Sequence, residues 1–137
     1  MENKFHIIYN SHTENYELKE KDLNLIVGND VNIVLHFVNE DRLVIDITDF
    51  KIFFTVKSDL TIEDTESIPA ELQKDVTVHT SPLEGESTIE ILNSDTEDLE
   101  GNYFYDIKIE TDDSPVKIYT VLRGIVNFSK GVTLRKS

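Results

Sequence analysis

The chain has 137 residues, 39% of them hydrophobic, with 13 basic against 27 acidic side chains and a formal net charge of −14. That length sets one domain as the expectation, with a core of Val, Ile, Leu, Phe and Tyr, since Trp is absent and the single Met opens the chain. The charge excludes a nucleic-acid backbone as the main partner, because such binding depends on cations displacing counterions; Lys130, Arg135 and Lys136 form the one local basic spot.

Residues 1–20 precede the main pattern and read as an N-terminal arm with one added strand, near Phe5–Tyr9, ahead of a β domain over 21–137. Such an arm closes a sheet edge or reaches another subunit. Beyond it the dominant period is two. Leu23–Val27 is a short strand closed by the turn residues Gly28-Asn29-Asp30. Val31, Ile33, Leu35 and Phe37 then share one face, with Asn32 and His36 on the other. After Asn39-Glu40-Asp41, a short strand is expected over Leu43–Ile47, and Phe50, Ile52, Phe54 and Val56 alternate with Lys51, Thr55 and Lys57. Ser58–Lys74 breaks the rhythm: it is acidic, carries Pro69, and ends in PAELQK, which fits one helical turn. It reads as a solvated excursion, or else as a loop that docks on a neighbour.

Alternation resumes through Val76 and Val78, pauses at the turn Pro82–Gly85, and continues through Ile89 and Ile91. Ser94 followed by Glu97 has capping-box spacing and predicts a single helical turn ended by Gly101. Tyr103, Tyr105, Ile107 and Ile109 then alternate with Phe104, Asp106, Lys108 and Glu110. Thr111–Pro115 reads as a hairpin loop, with Pro115 at the start of the last strand. That strand runs on to Gly124, where a bulge or kink is expected. About eight or nine strands at this spacing indicate an all-β sandwich or barrel.

Chemistry is harder to find. The histidines His6, His12, His36 and His79 lack metal-ligand spacing, and with no Cys neither a zinc site nor a disulfide is expected. Carboxylates are plentiful, but no pair stands out as a hydrolase would require. Asp46 and Asp106 sit inside apolar runs, where a carboxylate must be paired, hydrogen-bonded or solvent-facing. Asp95, Glu97, Asp98 and Glu100 cluster without the register of a calcium loop, so a solvated turn is the expectation. No nucleophile elbow and no glycine-rich phosphate loop occurs. No cofactor is expected. The N-terminus shows no signal-peptide run, and no stretch reaches the ~18 apolar residues of a membrane span. Together with the missing cysteines, this makes a reducing cytoplasm the expected place of synthesis and assembly.

Gly101-Asn102-Tyr103-Phe104-Tyr105 has the spacing of a tyrosine corner: Tyr103 is the expected corner residue, and Tyr105 stands where an immunoglobulin domain has a Cys. It belongs to an ordered set: the turn at Gly28 and Asn29, Asp46-Ile47-Thr48 opening the next strand, Leu99 to Asp106, and Thr120 to Gly124. This set, spread over residues 23–133, resembles the immunoglobulin-like β-sandwich of tailed-bacteriophage structural proteins. It is most similar to the N-terminal domain of phage upper baseplate proteins. Ile47 replaces the usual Leu of that pattern, Asp49 stands where Gly is common, and residues 1–20 have no counterpart.

The resemblance implies an all-β, immunoglobulin-like antiparallel β-sandwich of about eight strands. It also implies a non-enzymatic virion structural protein of the tail, baseplate or head. Upper baseplate proteins continue into a long C-terminal part, whereas this chain ends at Ser137, so a stand-alone virion protein, an adaptor or a decoration subunit is expected. Its partners would be other virion proteins and copies of itself. The alternative is a carbohydrate- or cell-surface-binding module. Phe53, Phe104 and Tyr119 are the candidate surface aromatics, each placed opposite the main apolar stripe of its strand, or else filling a second buried face.

Overall fold

A computed structural model describes residues 2–58 and 71–130. The elements are β1 (Glu2–Asn10), β2 (Asn15–Tyr16), β3 (Lys19–Glu20), β4 (Leu23–Val27), β5 (Val31–Asn39), β6 (Lys51–Lys57), β7 (Leu72–Val76), β8 (Glu86–Ile91), β9 (Gly101–Glu110) and β10 (Ile118–Lys130). A 3-10 turn at Pro82–Glu84 and a one-turn helix, α1 (Asn93–Thr96), interrupt them. The first sheet has the order β2-β1-β5-β8. The second runs β3-β10-β9-β6-β7, with β4 also on β10.

The two sheets close face to face because their apolar residues recur every second position. Ile33, Leu35 and Phe37 of β5 meet Ile52, Phe54 and Val56 of β6 and Ile107 and Ile109 of β9 in one core. The chain crosses between sheets at each of β5–β6, β7–β8 and β8–β9, so β5 and β8 face β6, β9 and β10. That is the immunoglobulin plan, with β4 lying parallel on the last strand.

Three pairings depart from the antiparallel expectation. β1 runs parallel to β5, from Glu2↔Asn32 to Tyr9↔Asn39, and β3 and β4 run parallel to β10. A parallel pair needs a crossover. Here the path from β2 through β3 and β4 visits the opposite sheet before β5 returns to the first. The N-terminal arm therefore closes a sheet edge, and Ile7 lies in the core at 1% exposure.

Several local expectations shift. Leu43–Ile47 is not a strand: only Val44 bridges, to Val38, before a turn at Asp46–Thr48 leads the chain away. Of PAELQK, Pro69 and Ala70 lie outside the described residues, while Leu72–Lys74 belong to β7 rather than to a helical turn. Alternation stops at Val76 because the chain leaves the sheet there. Val78 is 86% exposed and His79 turns inward. The helical turn begins earlier than Ser94–Glu97 implies: the Asp95 carboxylate accepts the Leu92 N–H at 2.7 Å.

Candidate functional site

Among the described residues, a cleft lies at the end of the sandwich where the β1–β2 turn, the β5–β6 connection and the β9–β10 hairpin meet. It has a volume of about 560 Å³ and is lined by Tyr9, Tyr16 and Tyr119, with Glu14, Asp46, Asp112, Asp113 and Lys117 at its rim. Tyr9 and Tyr16 face each other across the β1–β2 pair, ring centroids 4.9 Å apart. Tyr119 meets Tyr16 edge-on at 5.1 Å, and its hydroxyl points to the Glu14 carbonyl oxygen at 3.5 Å. From Tyr16 the aromatic contacts continue inward through Phe37 to Phe50. One end of the cluster is therefore core and the other is open.

Short polar side chains build the surrounding turns. Asn10 Oδ1 accepts from the N–H groups of His12 and Thr13 at 2.9 and 3.2 Å. Asn39 Oδ1 does the same for Asp41 and Leu43. Ser11 donates its N–H and hydroxyl to the Glu40 carboxylate, which holds that group at about 2. Thr111 closes the hairpin: its N–H reaches the Lys117 carbonyl oxygen at 2.9 Å and its hydroxyl reaches Asp113 at 2.8 Å. Asp46 accepts from the N–H and hydroxyl of Thr48, which lowers its carboxyl below the ordinary range.

The rim is negatively charged, with four carboxylates against one ammonium. Burial and then the Glu14 carboxylate push the Tyr9 phenol up. Burial, the neighbouring tyrosines and Asp113 and Asp112 push up that of Tyr16.

The structure does not bring the three candidate aromatics together. Phe53 and Phe104 stand on the outer face of the second sheet, paired in register with Lys108 and Lys57. Tyr119 faces inward instead, opposite Ile109. A register shift between Thr120 and Leu122 buries both Val121 and Leu122, so the alternation counted back from Phe128 assigns Tyr119 to the wrong face. The bulge expected at Gly124 is this one, three residues earlier. Gly124 answers a different need, because a Cβ there would lie 2.3 Å from the Lys21 carbonyl oxygen.

Of the remaining motif residues, Gly28 and Gly101 adopt the left-handed φ values of +87° and +93° that their turns require. Thr48 holds the Asp46 turn. Tyr103 packs its ring on Phe128 at 5.6 Å, whereas the hydroxyl that reaches back to main chain is that of Tyr105, bound to Lys21. Tyr105 fills the core at 2% exposure, as its place in the cysteine position predicts. Two of the four acids near Gly101 meet cations, Asp95 with Lys74 at 2.7 Å and Glu100 with Lys130 at 3.8 Å. His79 binds Ser87 and the Phe50 carbonyl oxygen. Among the described residues, no three His, Asp or Glu side chains converge on a metal-sized site.

Tyr9 and Tyr16 did not stand out in the sequence. The available signal was weak: an aromatic at each end of a short polar turn.

No family model and no curated protein matches this chain. Among solved structures it is similar to the N-terminal domain of phage TP901-1 ORF48, over 95% of this chain and 100% of that one, at 11% identity and a TM-score of 0.49. It is also similar to a chain of the complex of ICOS with ICOS-L and an anti-ICOS-L VNAR domain. That match covers 83% of this chain and 56% of the other, at 12% identity and a TM-score of 0.40.

Proposed function

We propose that the chain is a non-enzymatic virion structural protein of a tailed bacteriophage that works through protein–protein contacts, with copies of itself and with neighbouring tail, baseplate or head proteins. The observation that carries this reading is a double sheet edge. Among the described residues, β7 ends the second sheet and β8 ends the first, and the two edges flank a groove of about 360 Å³. Val78 stands exposed on its rim. An unpaired edge offers main-chain N–H and C=O groups to an incoming strand, and it is a liability that a monomer normally covers. The ordered motifs from Gly28 to Gly124 support the viral setting.

The carbohydrate-binding alternative needs aromatics gathered on one accessible surface, and Phe53, Phe104 and Tyr119 are dispersed over two faces. Light scattering over a concentration series tests the assembly reading. A closed oligomer of several times 15.8 kDa is expected. A strict monomer that binds a glycan on an array overturns it in favour of the sugar-binding module.

A further inference from the structure

The tyrosine cleft lies apart from the β7–β8 edges and carries a chemistry of its own. Three ring surfaces, Tyr9, Tyr16 and Tyr119, converge beneath the exposed carboxylates of Glu14, Asp112 and Asp113. Among the described lining residues, Lys117 is the one cation. We propose that this cleft takes the guanidinium group of an arginine side chain presented by a protein partner. The inference rests on the assembly reading for the existence of such a partner.

Charge selects the ligand first. A carboxylate-rich rim on a chain of net charge −14 repels phosphates and carboxylates and attracts cations. Burial comes first in raising the phenols of Tyr9 and Tyr16, and the carboxylates add to it, Glu14 at Tyr9 and Asp113 and Asp112 at Tyr16. An inorganic divalent ion is a poor fit, since no three acidic or imidazole groups converge among the described residues. An organic cation can use the rings as well, because the face of an aromatic ring attracts positive charge. Guanidinium suits the site better than ammonium: it is planar, stacks on rings, and bonds a carboxylate through two parallel N–H groups. Thr111 already fixes Asp113 through one oxygen, and a carboxylate keeps further acceptor sites. A sugar needs donors and acceptors in matched numbers, whereas this rim supplies mainly acceptors. The volume of about 560 Å³ admits an arginine head with its stem and flanking backbone.

The test is a titration of isotope-labelled protein, followed by amide NMR shifts, with an acetylated Gly-Arg-Gly-Arg-Gly amide peptide. The lysine counterpart and chitin and maltose oligosaccharides serve as comparison probes. Saturable shifts are expected at Tyr9, Glu14, Tyr16, Asp112 and Tyr119 with the arginine peptide. Binding should weaken severalfold with lysine, and again between about 20 mM and about 200 mM salt. Tyr9→Ala and the pair Asp112→Asn with Asp113→Asn should each weaken it by about five- to tenfold, with the remaining spectrum unchanged. Shifts spread over the acidic surface and indifferent to these substitutions overturn the proposal, as do saturable shifts with an oligosaccharide in place of the peptide. Light scattering separates this result from the assembly reading. An oligomer whose cleft ignores the peptide overturns the cleft assignment alone. A monomer whose cleft binds it at these residues supports the cleft and overturns self-association alone.

Discussion

The hydroxyl of Tyr105 donates to the carbonyl oxygen of Lys21, 84 residues earlier in the chain, and Gly124 lies directly against the same oxygen. Three strands are tied at this point. Lys21 donates its N–H to the Arg123 carbonyl oxygen at 2.9 Å, and Asp22 accepts the Ile125 N–H at 3.1 Å. The Lys21–Asp22 step thus carries the chain past Gly124, between the segments where β3 and β4 pair with β10. Tyr105 sits opposite Gly124 in the β9–β10 register and reaches past it. Burial, and then Asp22, push its phenol well above the ordinary range, so it stays a donor at every physiological pH.

Two substitutions test the knot. Tyr105→Phe keeps the ring and removes the donor, leaving the Lys21 oxygen without it, and should cost about 1–2 kcal/mol. Gly124→Ala places a Cβ against main chain rather than a flexible side chain, so the Lys21–Asp22 step must move, at a cost of about 1–3 kcal/mol. Both act on one oxygen, so the double variant should lose less than the sum of the two. Urea midpoints of the four proteins measure this. Strict additivity would show that the two residues do not share the contact.

The sequence made the core legible because the core depends on period two. β6, β8 and β9 alternate, and the inward residues of β5 are the ones expected, although Val34 and Val38 on its other face are buried too. What it hid were interruptions and long-range returns. One extra residue at Val121 reverses the phase of β10 and moves Tyr119 from the outer face to the cleft. The parallel docking of β1 on β5 leaves no local mark, because a parallel neighbour is set by the path of the intervening chain. Asp46 was legible as a carboxylate needing a partner, and the partner is the Thr48 of its own motif. Tyr9 and Tyr16 gain meaning only once the β1–β2 turn lies beside the β9–β10 hairpin.

His79 joins the two sheets through a buried imidazole. A carbonyl oxygen can only accept, so Nε2 donates to that of Phe50 at 2.7 Å, and Nδ1 shares the second hydrogen bond with the Ser87 hydroxyl at 2.8 Å. His79→Ala leaves both partners unsatisfied and opens a void between β6 and β8. A loss of about 2–4 kcal/mol is expected. His79→Gln, which offers a donor and an acceptor on one side chain, should recover part of it. If alanine and glutamine prove equal in chemical denaturation, the two hydrogen bonds carry little of the stability.

Gly85 ends the 3-10 turn at φ +71°, and a Cβ there would approach the Phe37 and Ile45 carbonyl oxygens to 2.5 and 2.9 Å. Gly85 O also accepts the Phe37 N–H at 2.7 Å. Gly85→Ala therefore combines left-handed strain with a backbone clash, and a loss above about 2 kcal/mol is expected. Gly28→Ala provides the comparison: its φ is also positive, but nothing lies within 4 Å of the added Cβ. It should cost about 1 kcal/mol, from strain alone. Thermal melts of the pair separate the two terms, and equal losses would mean that the Phe37 and Ile45 contacts yield freely.

The Ser11–Glu40 contact predicts how the cleft end responds to acid. Two donors from Ser11 hold the Glu40 carboxyl at about 2, against 4.5 for the free side chain. A depressed folded value means that the unfolded chain takes up the proton first as pH falls. The contribution is therefore complete above about 4.5 and is lost progressively as pH drops towards about 2. Glu40 faces solvent, so the amplitude is modest and sensitive to salt. Glu40→Gln retains an acceptor oxygen without the titration. Melting temperatures of the two proteins should differ at neutral pH, with the parent higher, and converge between pH 4.5 and 2. Asp46 titrates downwards in both proteins for its own local reason and cancels in the comparison. Curves that stay parallel through this window would show that Ser11 does not hold Glu40 in solution, and with it would go the anchor between the β1–β2 turn and the end of β5.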